Sequence, residues 1–240
     1  SCPDLLAEVS GLAEGAGLTF ADALAVQLRG ELTQFGEGAC TTFAIGSEGT
    51  TSRVTFAGQT SDNPPDFERF GYALKLRPTK KPALLMWTFG GMLGYHGINE
   101  HGVCHFANAL GGGPRWKFAL SHYPLKRLIL EQRCVSDVVE LMRRFPVCSN
   151  GNYMLADGDG TLLDVELTSE GPIIPATNEP FLVHSNHFLC SEHACEMNWR
   201  QSLADSFPRL DRMTSLIRGK WGSIELGDVK RFLSDHEGYP

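Results

Sequence analysis

A cysteine at position 40 stands where two small residues, Gly38 and Ala39, lead into a run of β-branched and apolar residues. The run from Thr41 to Ile45 has the composition of a strand, so Cys40 is predicted to open that strand. If the Ala39–Cys40 bond is cut, the α-amino group of Cys40, with a pKa of about 8, becomes a general base beside the thiol. The junction therefore predicts an N-terminal nucleophile that cleaves amide bonds. The alternative is a buried cysteine that packs as a small hydrophobic residue.

The composition is that of a folded globular protein rather than of one that binds nucleic acid. The chain has 240 residues, of which 42% are apolar and 10% aromatic, enough for a sizeable core. Its net charge is −7, and basic residues occur only as short pairs such as Lys80-Lys81, unlike a surface that follows phosphates. No apolar run approaches the roughly 18 residues of a membrane span, and no signal sequence opens the chain. We expect neither a nucleic-acid nor a membrane partner.

The seven cysteines are scattered through the chain and odd in number. Because a chain of this size does not need disulfides, the pattern favours a reducing, cytoplasmic location. One cluster combines imidazole and thiol groups, which are zinc ligands: His187, Cys190, His193 and Cys195. Its spacing is compressed, since structural zinc sites usually draw two ligands from each of two elements. A metal-binding domain on this segment is an alternative; the main interpretation needs no metal and no cofactor.

Helical and strand patterns alternate around Cys40. Two helical segments precede it, the second opening with a capping box from Thr19 to Asp22. Strands are predicted after it at 41–46, 52–58, 69–77, 83–89 and 102–109. A helical region at about 121–145, a hairpin at 153–167, a strand at 181–185 and helices at about 200–217 and 227–234 complete the pattern. This order predicts an α+β domain with antiparallel sheets between helical layers.

Five short motifs occur in an order and spacing that resemble a known family. They are Ala39-Cys40-Thr41-Thr42-Phe43, Gly58-Gln59-Thr60-Ser61-Asp62, Gly97-Ile98-Asn99-Glu100-His101-Gly102 with Asn108, Asn152-Tyr153-Met154-Leu155-Ala156-Asp157, and Ser185-Asn186-His187-Phe188. Each motif is short, but the ordered set is similar to the acyl-coenzyme A:6-aminopenicillanic acid acyltransferase family over nearly the whole chain. The resemblance implies the four-layer αββα fold of N-terminal nucleophile hydrolases, which the related choloylglycine hydrolases share.

The resemblance also implies roles for four residues. Cys40 would be the nucleophile, exposed by cleavage after Ala39, and Asp62 would hold the freed amine. Asn186 and Asn108 would donate hydrogen bonds to the oxyanion of the tetrahedral intermediate. The enzyme would then carry an acyl group on Cys40 as a thioester, and release it to water or to an amine.

The expected organisation is a single domain over 1–240 that processes itself. Residues 1–39 would be a propeptide or α-chain segment, and residues 40–240 the β-chain segment that bears the nucleophile. The cleaved chains would form a heterodimer acting on a small acylated amine or acyl thioester. Because Ser234 to Pro240 follow a helix and no closing strand comes after them, we expect the chain to be truncated, at both ends.

Each supporting residue also has a structural interpretation. Asp62 precedes Asn63-Pro64-Pro65 and could simply form a turn. Asn108 lies near a glycine run and could cap a strand end. Asn186 follows an apolar strand, so its amide could belong to a buried structural network.

Three residues depart from the family pattern. Gln59 stands where choloylglycine hydrolases carry an arginine, which argues against a bile-salt-like mechanism, and Thr60 replaces the asparagine usual before the acid. Ala39 stands where relatives often have glycine, and its Cβ could slow self-cleavage. An unprocessed, non-catalytic binding protein of the same fold is therefore the main alternative.

Overall fold

Two antiparallel β-sheets face each other at the centre of the molecule. The computed structural model describes residues 2–32, 39–111, 116–190 and 203–237. The strands in these ranges are Cys40–Ile45 (β1), Phe56–Ser61 (β2), Gly71–Leu76 (β3), Leu84–Phe89 (β4), His96–Asn99 (β5), Cys104–Ala109 (β6), Gly151–Ala156 (β7), Leu162–Thr168 (β8), Gly171–Ile173 (β9) and Phe181–His184 (β10). The α-helices in them are Pro3–Ala16 (α1), Phe20–Gln27 (α2), Arg29–Leu32 (α3), His122–Ile129 (α4), Val135–Arg144 (α5), Ser206–Lys220 (α6) and Leu226–Leu233 (α7).

The smaller sheet has the order β10-β1-β2, with β1 in the centre. Its register pairs Cys40 with Ser61 at the open end of β1. Both faces of β1 are covered, so Thr41 to Ile45 are all buried and their hydrophobicity does not alternate. Gly58 on β2 leaves room for the ring of Phe43 on β1, because a Cβ at position 58 would lie 2.7 Å from that ring.

The larger sheet has the order β3-β4-β5-β6-β7-β8-β9. Its register sets Asn108 on β6 opposite Asn152 on β7. The side chains of these two residues meet Thr42 of β1 at the interface of the two sheets. The sheet interface is therefore partly polar just beyond the Cys40 end of β1.

Helices cover the outer faces of both sheets. On the larger sheet, α4 and α5 contribute Leu125, Ile129 and Val138 to a buried cluster with residues of β6, β7 and β8. On the smaller sheet, α6 and α7 contribute Met213, Ile217 and Phe232, which pack against Phe43 and Ile45. The order of layers is helix, sheet, sheet, helix.

The N-terminal helices are part of the core on the α4 side. Leu5, Val9 and Ala13 recur every four residues, so they share one face of α1, and this face packs against Leu93 and Leu128. The guanidinium of Arg127 also contacts Glu8 at 2.9 Å. Helix α2 begins at the predicted capping box, in which Thr19 and Asp22 bond reciprocally.

The predicted αββα architecture is confirmed, but two predicted elements were wrong in detail and one strand was missed. The strand expected at 52–58 runs from Phe56 to Ser61, because Thr50 bonds Val54 across a turn in which Arg53 has φ 55°. The short strand β5 was not predicted, and α6 begins at Ser206 rather than near 200. The first of these differences matters most, because it brings Ser61 into register with Cys40.

In the described ranges, no single helix is both long and apolar enough to cross a membrane. Helices α1 and α2 pass that test only as a pair, by length and composition, with a bend of 118° between them.

Candidate functional site

Cys40 is held by its backbone nitrogen at the start of β1. This nitrogen donates a hydrogen bond to Oδ1 of Asn186 at 2.9 Å, across 146 positions of sequence. The partly buried thiol lies 3.9 Å from Oγ of Ser61, the cross-strand partner of Cys40. The structure thus brings Cys40 and Asn186, two of the four predicted site residues, into direct contact.

The orientation of the Asn186 amide follows from its partners. Oδ1 receives two donors, the backbone nitrogen of Cys40 and Nη2 of Arg209 at 2.8 Å, so this atom must be the oxygen. Nδ2 donates to the carbonyl of Ala109 at 2.9 Å. An amide nitrogen carries two hydrogens, which leaves one for a reacting oxyanion.

A buried polar network fixes the segment that carries Asn186. Oγ of Ser206 accepts from the backbone nitrogen of Asn186 at 2.8 Å and lies equally close to Oγ of Ser185. On the other side, Nε2 of His184 contacts Oε1 of Glu166 at 3.0 Å, and both side chains are completely buried. Asn186 is therefore held in place on both sides of the β10 end.

The His184–Glu166 contact joins two shifted groups. Burial disfavours a charge on His184, but Asp164 and Glu166 outweigh it and raise the pKa of the imidazole. Burial also opposes a charge on Glu166, yet His184, the backbone nitrogen of Leu189 and the side chain of Cys190 lower the pKa of the carboxyl. The two groups therefore form a charged pair beneath the site.

Asp62 contacts the bond before Cys40 through its backbone and not through its side chain. Its nitrogen donates to the carbonyl oxygen of Ala39 at 2.8 Å. The carboxylate forms no hydrogen bond to a described residue and acts on Cys40 only through its charge, which raises the pKa of the thiol. The role predicted for this carboxylate concerns the amine freed by cleavage; in the uncut chain the Cys40 nitrogen donates to Asn186 instead.

The Asn108 side chain lies in the network between the sheets. Nδ2 donates to Oγ1 of Thr42 at 3.0 Å and to Oδ1 of Asn152 at 3.1 Å. Its oxygen accepts from Nε2 of Gln59 at 3.4 Å. Both amide hydrogens of Asn108 are thus occupied, as expected for a structural residue rather than for a residue that donates to an oxyanion.

Gln59 links this network to the thiol. It lies on the inner face of β2, where Nε2 donates to the carbonyl of Ala107 at 2.7 Å. Gln59 also forms a hydrogen bond that lowers the pKa of the Cys40 thiol. A neutral amide therefore occupies the position for which the resemblance implies an arginine in choloylglycine hydrolases.

Burial dominates the electrostatics of Cys40 and raises the pKa of its thiol. Three groups oppose this shift: Ser61 and Gln59 through hydrogen bonds with the sulfur, and Lys126 through its positive charge. The thiol is therefore mainly protonated at neutral pH, and these three groups support the fraction that ionises.

Arg209 on α6 is a site residue that the sequence did not reveal. Its Nη1 donates to the carbonyl oxygen of Cys40 at 2.5 Å and to Oγ1 of Thr41 at 2.9 Å, while Nη2 reaches Asn186. Asp205, one helical turn earlier, holds its Nε at 3.0 Å. The spacing of four residues between Asp205 and Arg209 predicts an ion pair on one face of a helix, but it does not predict which other groups the guanidinium contacts.

The candidate metal segment is only partly described. His187 contacts Oγ of Ser206 at 2.8 Å, and the backbone nitrogen of Cys190 donates to Glu166. His193 and Cys195 lie outside the described residues. Within 2–32, 39–111, 116–190 and 203–237, no group of three His, Cys, Asp or Glu side chains could hold a metal ion.

Comparison with known proteins sets this geometry in a family. A family model described as acyl-coenzyme A:6-aminopenicillanic acid acyl-transferase matches residues 49–240. The chain belongs to this family. The match contains Asp62, Asn108 and Asn186, and begins after Cys40. No curated protein sequence matches the chain.

A solved structure shares the fold of this acyltransferase-family chain, and a second is more weakly similar. A mutant of the conjugated bile acid hydrolase from Clostridium perfringens is similar with a TM-score of 0.57 at 15% identity, over 81% of this chain and 78% of that one. Penicillin V acylase from Agrobacterium tumefaciens is similar with a TM-score of 0.45 at 12% identity, over 82% of this chain and 63% of that one. The first similarity supports the fold.

Two concavities flank the short sheet of this family member. A pocket of about 180 Å³ lies on its outer side and is lined by Thr41, Asp62 and Arg209. A groove of about 810 Å³ lies on the inner side, where Trp87 and Phe106 line it. Two neighbouring aromatics, Phe89 and Tyr95, pack instead in a buried cluster.

Proposed function

We propose that this chain is an autoprocessing amidohydrolase or acyltransferase with Cys40 as its N-terminal nucleophile. The observation that carries the proposal is the 2.9 Å contact between the Cys40 nitrogen and Oδ1 of Asn186, braced by Arg209. This contact holds the atom that would become the α-amine, and Asn186 keeps one amide hydrogen for an oxyanion. Membership of a family of acyl-transferases supports the same chemistry.

Self-cleavage would begin at the Ala39 carbonyl. The Cys40 thiolate attacks the carbonyl carbon, and the negative oxygen that forms faces the backbone nitrogen of Asp62, now 2.8 Å away. The carbon–nitrogen bond breaks as the Cys40 nitrogen gains a proton, which leaves a thioester between Ala39 and the sulfur. Water then hydrolyses this thioester, giving a carboxylate on Ala39 and a free thiol and amine on Cys40.

Turnover would repeat the chemistry on a substrate. The freed α-amine takes the thiol proton, and the sulfur attacks an acyl carbonyl. The remaining Nδ2 hydrogen of Asn186 donates to the oxyanion, the amine or thiol leaves with a proton, and the acyl group stays on Cys40. Water or a second amine then accepts it. Preorganised neutral donors suit this step because the charge develops only in the transition state.

The substrate would be a small acylated amine or acyl thioester. The inner groove supports an apolar acyl group, because the indole of Trp87 is half exposed and Ile98 is 45% exposed along it. His96 lines the same groove next to Tyr95, whose hydroxyl lies 3.4 Å from Oγ of Ser61. Tyr95 and Ser61, neither of which lines the groove, therefore lie between His96 and the thiol.

A non-catalytic binding protein is the second candidate. Two observations favour it: both amide hydrogens of Asn108 are bonded, and burial raises the pKa of the Cys40 thiol. In that case the groove would still bind an acyl group, but the Ala39–Cys40 bond would stay intact.

Intact-mass spectrometry separates the two candidates. Wild type should convert to two pieces cut between Ala39 and Cys40 and should release amine from a panel of N-acyl amines, whereas Cys40→Ala should remain one inactive chain. Iodoacetamide followed by peptide mapping is the second arm: activity should fall in step with Cys40 labelling. Cys104 and Cys148 should resist labelling, because burial raises their pKa values to about 11 and about 12. A wild type that stays uncut yet active, or inactivation with Cys40 unlabelled, would exclude the mechanism.

A further inference from the structure

Lys126 on α4 is a buried cation without a carboxylate partner. The residue is only 7% exposed, and its ammonium forms no ion pair or hydrogen bond with a described residue. The ammonium instead lies over the rings of Tyr95 and Tyr123, at 4.4 and 5.4 Å from their centroids. Burying an ammonium without a counterion is costly, so a cation kept in this state indicates a function.

A short line of contacts connects this cation to the nucleophile. The ring of Tyr95 carries the ammonium on its face, and its hydroxyl lies 3.4 Å from Oγ of Ser61. Ser61 in turn receives the Cys40 thiol at 3.9 Å. The positive charge of Lys126 reaches the sulfur and lowers the pKa of the thiol.

The chemistry before cleavage needs such a group. In the uncut chain the Cys40 nitrogen is an amide that donates to Asn186, so it has no lone pair to accept the thiol proton. The α-amine that would serve as base in turnover does not yet exist. Some other feature must therefore favour the thiolate in the first step.

We propose that Lys126 is a positioning residue that supplies this support: its ammonium, seated on Tyr95, stabilises the Cys40 thiolate in the uncut chain. The thiol proton leaves to water and Lys126 stays protonated throughout. The inference rests on the proposed self-cleavage at Cys40 and assigns a cation to its first step.

Other charged and titratable groups around the two residues do not replace Lys126. Those facing the ammonium besides Cys40 and the two tyrosines are Arg29, Glu31, His96, His105 and His122. Burial lowers the pKa of His105 to about 3 and that of His122 to about 4, and lowers that of His96 well below its ordinary value, so the three imidazoles are neutral. Arg29 and Glu31 act on Lys126 in opposite senses. Near the sulfur, Asp62 opposes ionisation.

Lys126 itself is tuned to the task. Burial lowers the pKa of Lys126 to about 8, although the negative charge of a Cys40 thiolate opposes this shift. The ammonium is therefore retained at neutral pH, and becomes more stable once the thiolate forms.

The first test measures thiol ionisation directly. The rate of iodoacetamide labelling of Cys40 in the uncut chain is followed against pH by peptide mapping, in wild type, Lys126→Met and Lys126→Arg. At pH 7, where the Lys126 ammonium is retained, Lys126→Met should lower the rate of Cys40 labelling about tenfold, the effect of a rise of about one unit in the thiol pKa. Lys126→Arg should stay near wild type. Lys117→Met, which removes an exposed lysine, is the matched control and should change nothing. An unchanged labelling rate at pH 7 in folded Lys126→Met would overturn the proposal.

The second test needs no Lys126 variant to fold. Coupling between two sites is reciprocal, so Cys40→Ala should lower the pKa of Lys126, measured from the pH dependence of its ¹³Cε resonance. An equal Lys126 pKa in wild type and Cys40→Ala would also overturn it. Failure here is distinct from failure of the proposed function: self-cleavage that persists with an unshifted thiol removes only the role of Lys126, whereas a shifted thiol in a chain that never cleaves removes only self-cleavage.

Discussion

The side-chain oxygen of Asn186 lies 2.9 Å from the backbone nitrogen of Cys40 and 2.8 Å from the Arg209 guanidinium. One acceptor thus joins the N-terminal end of β1 to α6, and its orientation leaves the second Nδ2 hydrogen unassigned. This relationship makes Asn186 the residue whose loss should separate folding from catalysis.

Asn186→Ala should lower the turnover number by about 10²-fold or more, because removing one oxyanion donor costs about that much. The chain should still fold, since Ser206 and Glu166 hold the same segment through other atoms. Steady-state kinetics and circular dichroism measure the two effects. Asn178→Ala, at an exposed asparagine, is the control. Wild-type turnover in folded Asn186→Ala would remove Asn186 from the mechanism.

Asp62→Asn should spare self-cleavage and impair turnover. The backbone nitrogen that faces the Ala39 carbonyl is unchanged by this substitution, and removing the charge takes away one contribution that raises the pKa of the Cys40 thiol. After cleavage, however, the carboxylate that would hold the ammonium is gone. Timed intact-mass spectra give the cleavage rate, and assays of the cut enzyme give turnover. Asp66→Asn is the control at a nearby exposed acid. Slower cleavage in Asp62→Asn would mean that the side chain acts earlier.

Arg209→Met and Arg209→Lys should both lower the cleavage rate and turnover by about tenfold or more. A charge-assisted hydrogen bond is worth about 1.5–3 kcal/mol, and Arg209 makes such bonds to the Cys40 carbonyl and to Asn186. Lysine keeps the charge but cannot reach both acceptors with a planar fork. Arg212→Met removes a neighbouring arginine whose partners are Asp235 and Glu237, and should keep full activity. A fully active Arg209→Lys would show that charge alone suffices.

The sequence predicted the start of β1 at Cys40 and the layered fold, because both depend on local composition and on the order of elements. It did not predict that Ser61 lies opposite Cys40, because the turn at Thr50 to Arg53 displaces β2 from its expected range. Arg209 and Lys126 were missed for another physical reason. They project from helices whose patterns indicate which face is buried, but a pattern does not indicate which polar group a buried cation will meet.

The buried pair of Glu166 and His184 should stabilise the fold most within a limited range of pH. The lowered pKa of Glu166 adds stability above its unfolded value of about 4.3, and this is lost as pH falls through the folded pKa. The raised pKa of His184 adds stability below its unfolded value of about 6.5, and this is lost as pH rises through the folded pKa. Both contributions are complete between about pH 4.3 and 6.5.

Glu166→Gln should therefore cost about 3–5 kcal/mol of unfolding free energy near pH 6, since it leaves the buried His184 without its partner. Urea unfolding between pH 4 and 9 measures this. Glu140→Gln, at an exposed acid paired with Arg143, should cost little. Burial raises the pKa of Asp164 to about 6, so the fold becomes less stable as this carboxyl ionises at higher pH. This loss of stability appears in the wild type and in both variants. A loss below about 1 kcal/mol in Glu166→Gln would contradict a charged pair.

The hydrogen bond from Asp62 to the Ala39 carbonyl exists only where β1 and β2 have already paired, Cys40 beside Ser61. The cut proposed at this bond would consequently come after folding and never before it. Each cut chain in a cell extract would then be a molecule that had already acquired its native strand pairing, whereas an intact chain would be either unfolded or folded and not yet cut. The share of cut chain on a denaturing gel would therefore give a minimum for the folding yield, readable without any substrate.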